Sequence, residues 1–420
     1  MTRTMWGALA ACAVALATPV AAQQPTDTLR LAEALALARE ANPMLAAARL
    51  GADAARARAP QAGAWPDPQF VFGLMNRPLA GFGTDEPMTM NTIQLTQILP
   101  WPGKLGFGEA RQQALADAAQ LDAAEAERQL LARVAGVYAD LAAMDRSLAI
   151  MSRTRELLRD FFRVSQAMYG VGEAVQQDVL QAQVAVARMT EDLTVMEQER
   201  VAMAARLNAL LGRDATVPIP GLELRPPGVE LPSPDSLMVL ASASRPALQA
   251  ARERVRAAEA GSRQARRELY PDVMVSVGYG QRPQFDDMVS LMVGVSIPLW
   301  AGSRQLPMRR EMDAMRATED AMARDLTNET FAMLTELRAE AERARALADL
   351  YATAILPQAR AAVDAALSAY RVGSADYMTL VDSEMTVNRY EIELVRLAAR
   401  WQRAAAQVAA LVAGDTGGDR

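Results

Sequence analysis

The feature that most constrains this chain is a pattern of alternating strand followed by a very long helix, and it occurs twice. In the first copy the alternation ends at "QILPWPGK" (Gln97–Lys104), and a helical pattern runs from there to "YGVGEAVQQDVLQAQ" (Tyr169–Gln183). In the second, "VSIPLWAGSR" (Val295–Arg304) leads into a helical pattern of nearly equal length that reaches "YRVGSADYMTLVDSE" (Tyr370–Glu384). Aligning Tyr169 with Tyr370 also aligns Val171 with Val372, Gly172 with Gly373 and Ala174 with Ala375, an offset of 201. Upstream, "ANPMLAAAR" at Ala41 matches "SRPALQAAR" at Ser244 at an offset of 203. Landmarks at nearly constant spacing mark an internal duplication.

The first long helix carries a coiled-coil seam. Leu130, Val134, Val137, Leu141, Met144, Leu148, Met151, Arg155, Leu158, Phe162, Ser165 and Tyr169 follow one another in alternating steps of four and three. Such a seam supercoils against a neighbour. A helix from about Glu109 to Tyr169 would be roughly 90 Å long. "GVGE" reverses the chain, and Val175 to Leu211 returns. The second half repeats this from about Leu306 to Tyr370 and from Asp376 to Val412, and Pro357 is expected to kink its first helix. Thr28 is the expected cap of an opening helix in "TLRLAEALALAREANPML" (Thr28–Leu45).

The strands alternate with period two. "PDVMVSVGYG" (Pro271–Gly280) puts Val273, Val275, Val277 and Tyr279 on one face and small or polar residues on the other. "VSLMVGVSI" (Val289–Ile297) repeats the pattern, and "DPQFVFGLM" and "NTIQLTQIL" play the same parts in the first half less cleanly. Strands of about ten residues suit a tilted bilayer crossing. Trp65, Trp101, Tyr270 and Trp300 fall where strands meet helices, as in a membrane-interface girdle. An ordinary soluble sheet with an aromatic rim is the competing reading of any one hairpin. Open sheet edges are not tolerated in lipid, so four strands per chain require several chains to share one barrel. Three chains would give twelve strands.

Composition removes other functions. The chain has no histidine, and its one cysteine is Cys12. Thiol nucleophiles, histidine bases and the usual zinc and copper ligand sets are therefore missing from residue 23 onward. The net charge of −6 is mixed in sign along the chain and points to no nucleic-acid partner. No cofactor, metal centre or catalytic residue is expected.

The organisation expected is as follows. Residues 1–22 form an export signal, with Arg3, the apolar "MWGALAACAVALA" and small Val20 and Ala22 before Gln23. "LAAC" (Leu9–Cys12) leaves a lipoprotein signal as an alternative. Residues 23–212 are the first repeat with its β-hairpin at 68–99, and 213–235 are a connector holding Pro218, Pro220, Pro226, Pro227, Pro232 and Pro234. Residues 236–414 are the second repeat with its β-hairpin at 271–298, and 415–420 are a flexible tail.

Six segments in this order resemble one family: "LRLAEALALAREANPML", "LTQILPWPGK", "YGVGEAVQQDVLQAQ", "LNALLGRD" (Leu207–Asp214), "ILPQARAAVDAALSAYRVG" (Ile355–Gly373) and the two-fold repeat. The chain resembles the TolC-like outer membrane factors, the exit ducts of Gram-negative tripartite efflux and type I secretion systems. The resemblance implies a mainly α fold with a small β part. Four transmembrane strands per chain would join in a homotrimer as a twelve-stranded β-barrel standing on a long α-helical coiled-coil barrel in the periplasm. It implies three partners: a periplasmic adaptor, an inner-membrane pump (of the RND type) and outer-membrane lipid. In that family the helical tips dock the adaptor, and Val171, Gly172, Val372 and Gly373 match those tips. Drug-exporting members narrow the duct with aspartates and a latch of Tyr, Asp and Arg. Tyr370 matches the latch tyrosine, Asp178 a latch aspartate and Asp382 a constriction aspartate. Thr379 stands where the second constriction aspartate would be and Ala375 where the latch arginine would be, which leaves Arg371 as the candidate to hold the closed state. A ring of Asp382 carboxylates would favour cations; the bland alternative is a solvated helix face. Met75, Met88, Met90, Met274, Met288 and Met292 cluster around the strands, and thioethers suit Cu(I) or Ag(I). "LPWPGK" is similar to the "LPGK" of heavy-metal-efflux members, so heavy-metal cations are the cargo toward which the sequence leans. Two readings compete with the efflux duct: an outer-membrane component of type I secretion, and a periplasmic adaptor or structural coiled coil. An envelope enzyme finds no nucleophile–base pair to rest on.

Overall fold

The structure is a computed structural model and describes residues 28–78, 83–84, 86–372 and 374–412. The expected export signal with Cys12, Gly373 and the tail 415–420 lie outside the described residues. The first half runs β1 (Thr28–Leu29), α1 (Leu31–Ala41), α2 (Pro43–Gly63), β2 (Gln69–Met75), β3 (Met90–Leu99), α3 (Lys104–Gly170) and α4 (Gln176–Leu210). The second runs β4 (Gly221–Leu222), α5 (Pro234–Ser244), α6 (Pro246–Arg267), β5 (Asp272–Gln281), β6 (Met288–Ser296), α7 (Gln305–Leu350), a π-helical turn (Tyr351–Ile355), α8 (Leu356–Arg371) and α9 (Tyr377–Val412).

Four strands form one antiparallel sheet in the order β2-β3-β5-β6, so β2 and β6 are open edges. The register aligns Phe70 with Leu95 and Leu95 with Val277, and Val277 in turn with Leu291. Phe72, Ile93, Tyr279 and Val289 form a second row on the same face. These side chains stay exposed, Phe70 at 68% and Leu291 at 69%. The opposite face carries hydroxyls, glycines, glutamines and the methionines of the strands. There Thr96 and Ser276 share a buried 2.9 Å hydroxyl–hydroxyl hydrogen bond, and Thr92 donates to the Gly73 carbonyl at 3.2 Å.

The 67 residues of α3 make a rod of roughly 100 Å. Every position of the four-three seam is buried or half-buried except Tyr169. The helix starts five residues before the expected Glu109. The glycines of "GKLGFG" argue against helix in the sequence, but Gly103, in the left-handed region at φ 93°, turns the chain into the first turn, where the Phe107 N–H donates to its carbonyl at 2.9 Å. Gly108 lets α3 lie close to the Ala62 carbonyl, 3.3 Å from where a Cβ would stand.

Two further expectations are corrected. Thr28 does not cap a helix: Thr28–Leu29 pair in parallel with Gly221–Leu222 of the connector. The Tyr138 hydroxyl donates to the Leu29 carbonyl at 2.7 Å and accepts from Glu223 N–H at 3.2 Å, which pins both short strands to α3. Glu33 instead accepts from the Arg30 N–H at 3.2 Å at the start of α1. The kink at Pro357 takes the form of a π turn just before it, in which the Leu356 N–H reaches back to the Tyr351 carbonyl. The wider turn absorbs a register change around the missing proline donor.

The repeated landmark at Asn42 and Arg245 solves one problem in two ways. Asn42 caps α2 by accepting from Met44 and Leu45 N–H at 2.9 and 3.2 Å, and donates to the Leu210 carbonyl at 2.8 Å. Arg245 cannot accept, so Glu125 of α3 supplies the acceptor to Ala247 N–H at 3.3 Å. Arg245 then binds that carboxylate at 3.1 Å and Thr330 Oγ1 at 2.6 Å. Both charged side chains are buried, so Glu125→Ala strands the guanidinium and is expected to cost about 3–5 kcal/mol. Thermal unfolding of the purified protein should show a lower Tm for Glu125→Ala and recovery of at least half the loss in Glu125→Ala/Arg245→Met. No loss in the single variant would show that this pair does not hold α3, α6 and α7 together.

Candidate gate at the helical tip

The end of the molecule away from the sheet is built by two helix reversals. At the first, Gly172 adopts φ 80°, which L side chains resist, while Gly172 N–H donates to the Tyr169 carbonyl at 3.1 Å and Glu173 N–H to the Met168 carbonyl at 2.9 Å. The second reversal has the matching bond from Ser374 N–H to the Ala369 carbonyl at 2.9 Å. Asp376 caps α9 by accepting from both Thr379 N–H, at 2.9 Å, and Thr379 Oγ1, at 2.6 Å. Val171 and Val372 stand 73% and 78% exposed at the two turns.

Behind the turns lies a buried aromatic pair. The rings of Tyr370 and Tyr377 meet edge to face at 5.9 Å, packed on Leu158 and Phe161 of α3 and Leu380 of α9. The hydroxyls of Tyr370, Tyr377 and Ser165 are buried without a well-formed hydrogen bond. Burial is the main reason both tyrosines titrate above their ordinary range. The nearby Asp178 carboxylate pushes both the same way, and the Ser165 hydroxyl opposes it at Tyr370. Neither phenol hydrogen-bonds to Asp178. Arg371 is exposed and forms no ion pair among the described residues. Asp382 is exposed too, one turn beyond Thr379, and lines a groove of about 640 Å³ between α4 and α9 with Gln177, Leu180, Val184, Arg188 and Met385. The Thr379 hydroxyl is committed to Asp376.

Sequence reasoning missed a second polar layer. Glu391 of α9 is held by Arg153 of α3 and by Arg360 of α8, the latter at 2.6 Å. Glu384, two turns before it, is buried, and its carboxyl titrates above the usual range because of burial and then the Glu391 charge, with Arg153 opposing. Glu384, Asn388 and Glu391 recur at helical spacing on the inward stripe of α9, and that periodicity was the available signal.

At the sheet end, Trp101 and Tyr270 stack with centroids 5.1 Å apart and planes 11° from parallel, and Arg267 lies over the Tyr270 ring at 5.7 Å. Trp65 and Trp300 are exposed at the neighbouring junctions. Lys104, the only lysine of the chain, is buried between Asp272 at 2.8 Å and Glu268 at 3.3 Å. Asp272 also accepts from Trp101 N–H at 2.8 Å, so one carboxylate ties the end of β3 to the start of β5.

Comparison with known proteins supplies the family. The outer membrane efflux protein family matches residues 34–213 and again 237–414. The pyoverdine export outer membrane protein OpmQ of Pseudomonas putida is 24% identical over 397 residues, covering 87% of this chain and 82% of OpmQ. The solved outer-membrane channel OprN superposes with a TM-score of 0.80 at 18% identity, over 91% of this chain and 90% of OprN. CusC, solved in a study of folding and transmembrane channel formation, superposes at 0.80 with 16% identity, over 91% and 92%. Likeness at such identities speaks to the fold, whereas the family match spans both halves of the chain. The protein belongs to the outer membrane efflux protein family, with the TolC-like fold of an outer-membrane channel whose long helices extend into the periplasm, and it is not an enzyme.

Proposed function

We propose that three copies of the chain assemble into the exit duct of a tripartite efflux system. In this duct the four-stranded sheets close a twelve-stranded barrel. The carrying observation is the single-layer sheet with two open edges and an uncovered apolar face, set on the ends of rods of roughly 100 Å. Lipid covers such a face at no cost, and a neighbouring copy satisfies each edge. Twelve is an even strand number within the range of bacterial outer-membrane barrels. Trp65, Trp101, Tyr270 and Trp300 act as the interface girdle on the helix side. Cargo moves passively, driven by an inner-membrane pump of the RND type through a periplasmic adaptor. The adaptor docks on the tips, where two exposed valines, Val171 and Val372, offer apolar contact and Gly172 permits the first turn.

The gate lies behind those tips. The buried Tyr370–Tyr377 pair with Asp178 is the latch, and Asp382 faces the constriction, with Thr379 as its uncharged neighbour. Arg371 has its guanidinium free to reach a neighbouring copy in the closed state. OpmQ is a pyoverdine exporter, which favours efflux over protein secretion. Within efflux, the methionines of the sheet favour soft metal cations over a siderophore.

Two measurements test this reading. Unboiled protein on a denaturing gel should run near three times the mass of the heated single chain and collapse to that chain on heating. A band near two or four times that mass would replace the twelve-stranded barrel. In planar bilayers the purified protein should give a small cation-selective conductance, and Asp382→Ala should lose about half of the cation preference or open the pore wider. Unchanged conductance in the variant would move the constriction away from Asp382. No pore from folded, membrane-inserted protein would favour a structural periplasmic role.

A further inference from the structure

The four strands hold five methionines, and the register places all five on the same face. Met75 is the direct partner of Met90, Gly280 of Met288, Met274 of Gly294 and Ser276 of Met292. This is the face of Thr92, Thr96, Ser276 and Ser290, which becomes the inner wall when the opposite apolar face meets lipid. The apolar face, with its Phe, Leu, Ile, Val and Tyr, carries no methionine. Methionine used as a flexible substitute for leucine would be found with the leucines. Here it is sorted away from them onto a wet surface, where Met75, Met274, Met288 and Met292 remain between 44% and 50% exposed.

Three of these side chains gather at the hairpin-loop end of the sheet in two adjacent rows, Met75 with Met90 in one and Met288 with Gly280 and Thr92 in the next. Met75 and Met90 are cross-strand neighbours, the pairing in which side chains touch. Met90 Sδ leans over Gly280, 2.9 Å from where a Cβ on that residue would stand. Gly280 is the partner of Met288, so the missing side chain opens the space through which Met90 reaches toward Met288. The cluster therefore reaches diagonally from β2 to β6, and the glycine under the Met90 sulfur is part of its construction. Thioethers are soft, neutral donors that select monovalent d¹⁰ cations over the hard cations of the medium, and they bind weakly enough to release them.

We propose that Met75, Met90 and Met288 form a thioether site on the inner wall of the barrel that takes soft monovalent cations, Cu(I) and Ag(I), near the external mouth. This deepens the duct reading above and rests on it for the placement in the lumen. Silver is the practical probe, used as the nitrate because chloride precipitates it. Titration calorimetry of the detergent-purified full-length protein reads binding. Bilayer recordings in potassium nitrate read whether the bound ion obstructs the pore. Wild type should bind silver and show silver-dependent interruptions of current. Met75→Leu/Met90→Leu/Met288→Leu should keep the conductance in potassium nitrate and weaken both silver responses on the order of tenfold or more. Met315→Leu/Met322→Leu, which removes two exposed helical methionines, should behave as wild type. Equal silver binding in wild type and the triple variant overturns the inference whatever the conductance. Methionine-dependent binding in protein that forms no pore overturns the duct and the luminal placement together. Methionine-dependent binding without any effect on an open pore moves the cluster off the conduction path and overturns the inference alone.

Discussion

A single layer of four strands cannot be stable in water or alone in lipid. Its apolar face has no second layer to bury it, and its two edge strands expose a row of backbone groups worth several kcal/mol each when left unpaired in hydrocarbon. The rest of the architecture answers this constraint. Alternation along each strand puts Phe70, Leu95, Val277 and Leu291 in one row of the apolar face, and hydroxyls, glycines and methionines on the other face. Hydroxyl pairs such as Thr96 and Ser276 satisfy the inner face locally, so the sheet holds its shape without a packed core. Duplication of the hairpin then supplies the other pair of strands, and assembly with further copies is the remaining way to pair the edges.

The helical part must carry that sheet without a globular core, and it does so with rods and ties. The three larger core layers among the described residues lie along the helices. One, around Leu130, Val134 and Leu207, joins α1, α3 and α4; its counterpart around Leu237, Leu334 and Val408 joins α5, α7 and α9. The third surrounds the tyrosine pair at the tip. Between them, buried polar ties fix the register of the rods. Lys104 with Asp272 joins the strand ends, Glu125 with Arg245 joins the halves, and Asn208 holds the connector through the Ala215 and Val217 carbonyls at 3.2 and 2.7 Å. Asn208 and Gly212 also explain the segment "LNALLGRD". Gly212 sits at φ 70° with the Ala41 carbonyl oxygen only 2.3 Å from where a Cβ would be, so α4 can end against α1 only with a glycine there.

Periodicity made most of this legible. The four-three steps from Leu130 and the two-step alternation of Val273 to Tyr279 are local signals, and local signals survive without knowledge of tertiary partners. What escaped the sequence depended on contacts distant along the chain. Thr28 looks like a helix cap until the connector, 193 residues on, offers a strand to pair with. The glycines around Lys104 look like a loop until α2 and α6 pack against them. The turn at Gly172 was legible locally, whereas Tyr377, Glu384 and Glu391 show in the sequence only as members of the inward stripe of α9, where a tyrosine or glutamate reads as an ordinary helix residue. Their burial comes from α3 and α8, which no local window contains.

The two ends of the molecule are linked by one continuous element. α3 leaves the sheet at Lys104, anchored to Asp272, and reaches the tip at Gly170 with no break in its hydrogen bonding. The second half lacks such a rod, because the π turn at Tyr351–Ile355 interrupts α7 and α8. A π turn widens one turn of the helix and is frequent at functional sites. The tip is thus supported by one unbroken and one interrupted helix. Tyr370, at the end of the interrupted one, meets the Tyr377 ring edge to face and shares a buried cluster with Leu158 and Phe161 of the unbroken one. Motion at the tip is therefore expected in α8 and α9 swinging against α3, with the buried tyrosines at the contact that must open. Packing surfaces of this kind change between discrete arrangements instead of deforming gradually, which is the behaviour a gate requires.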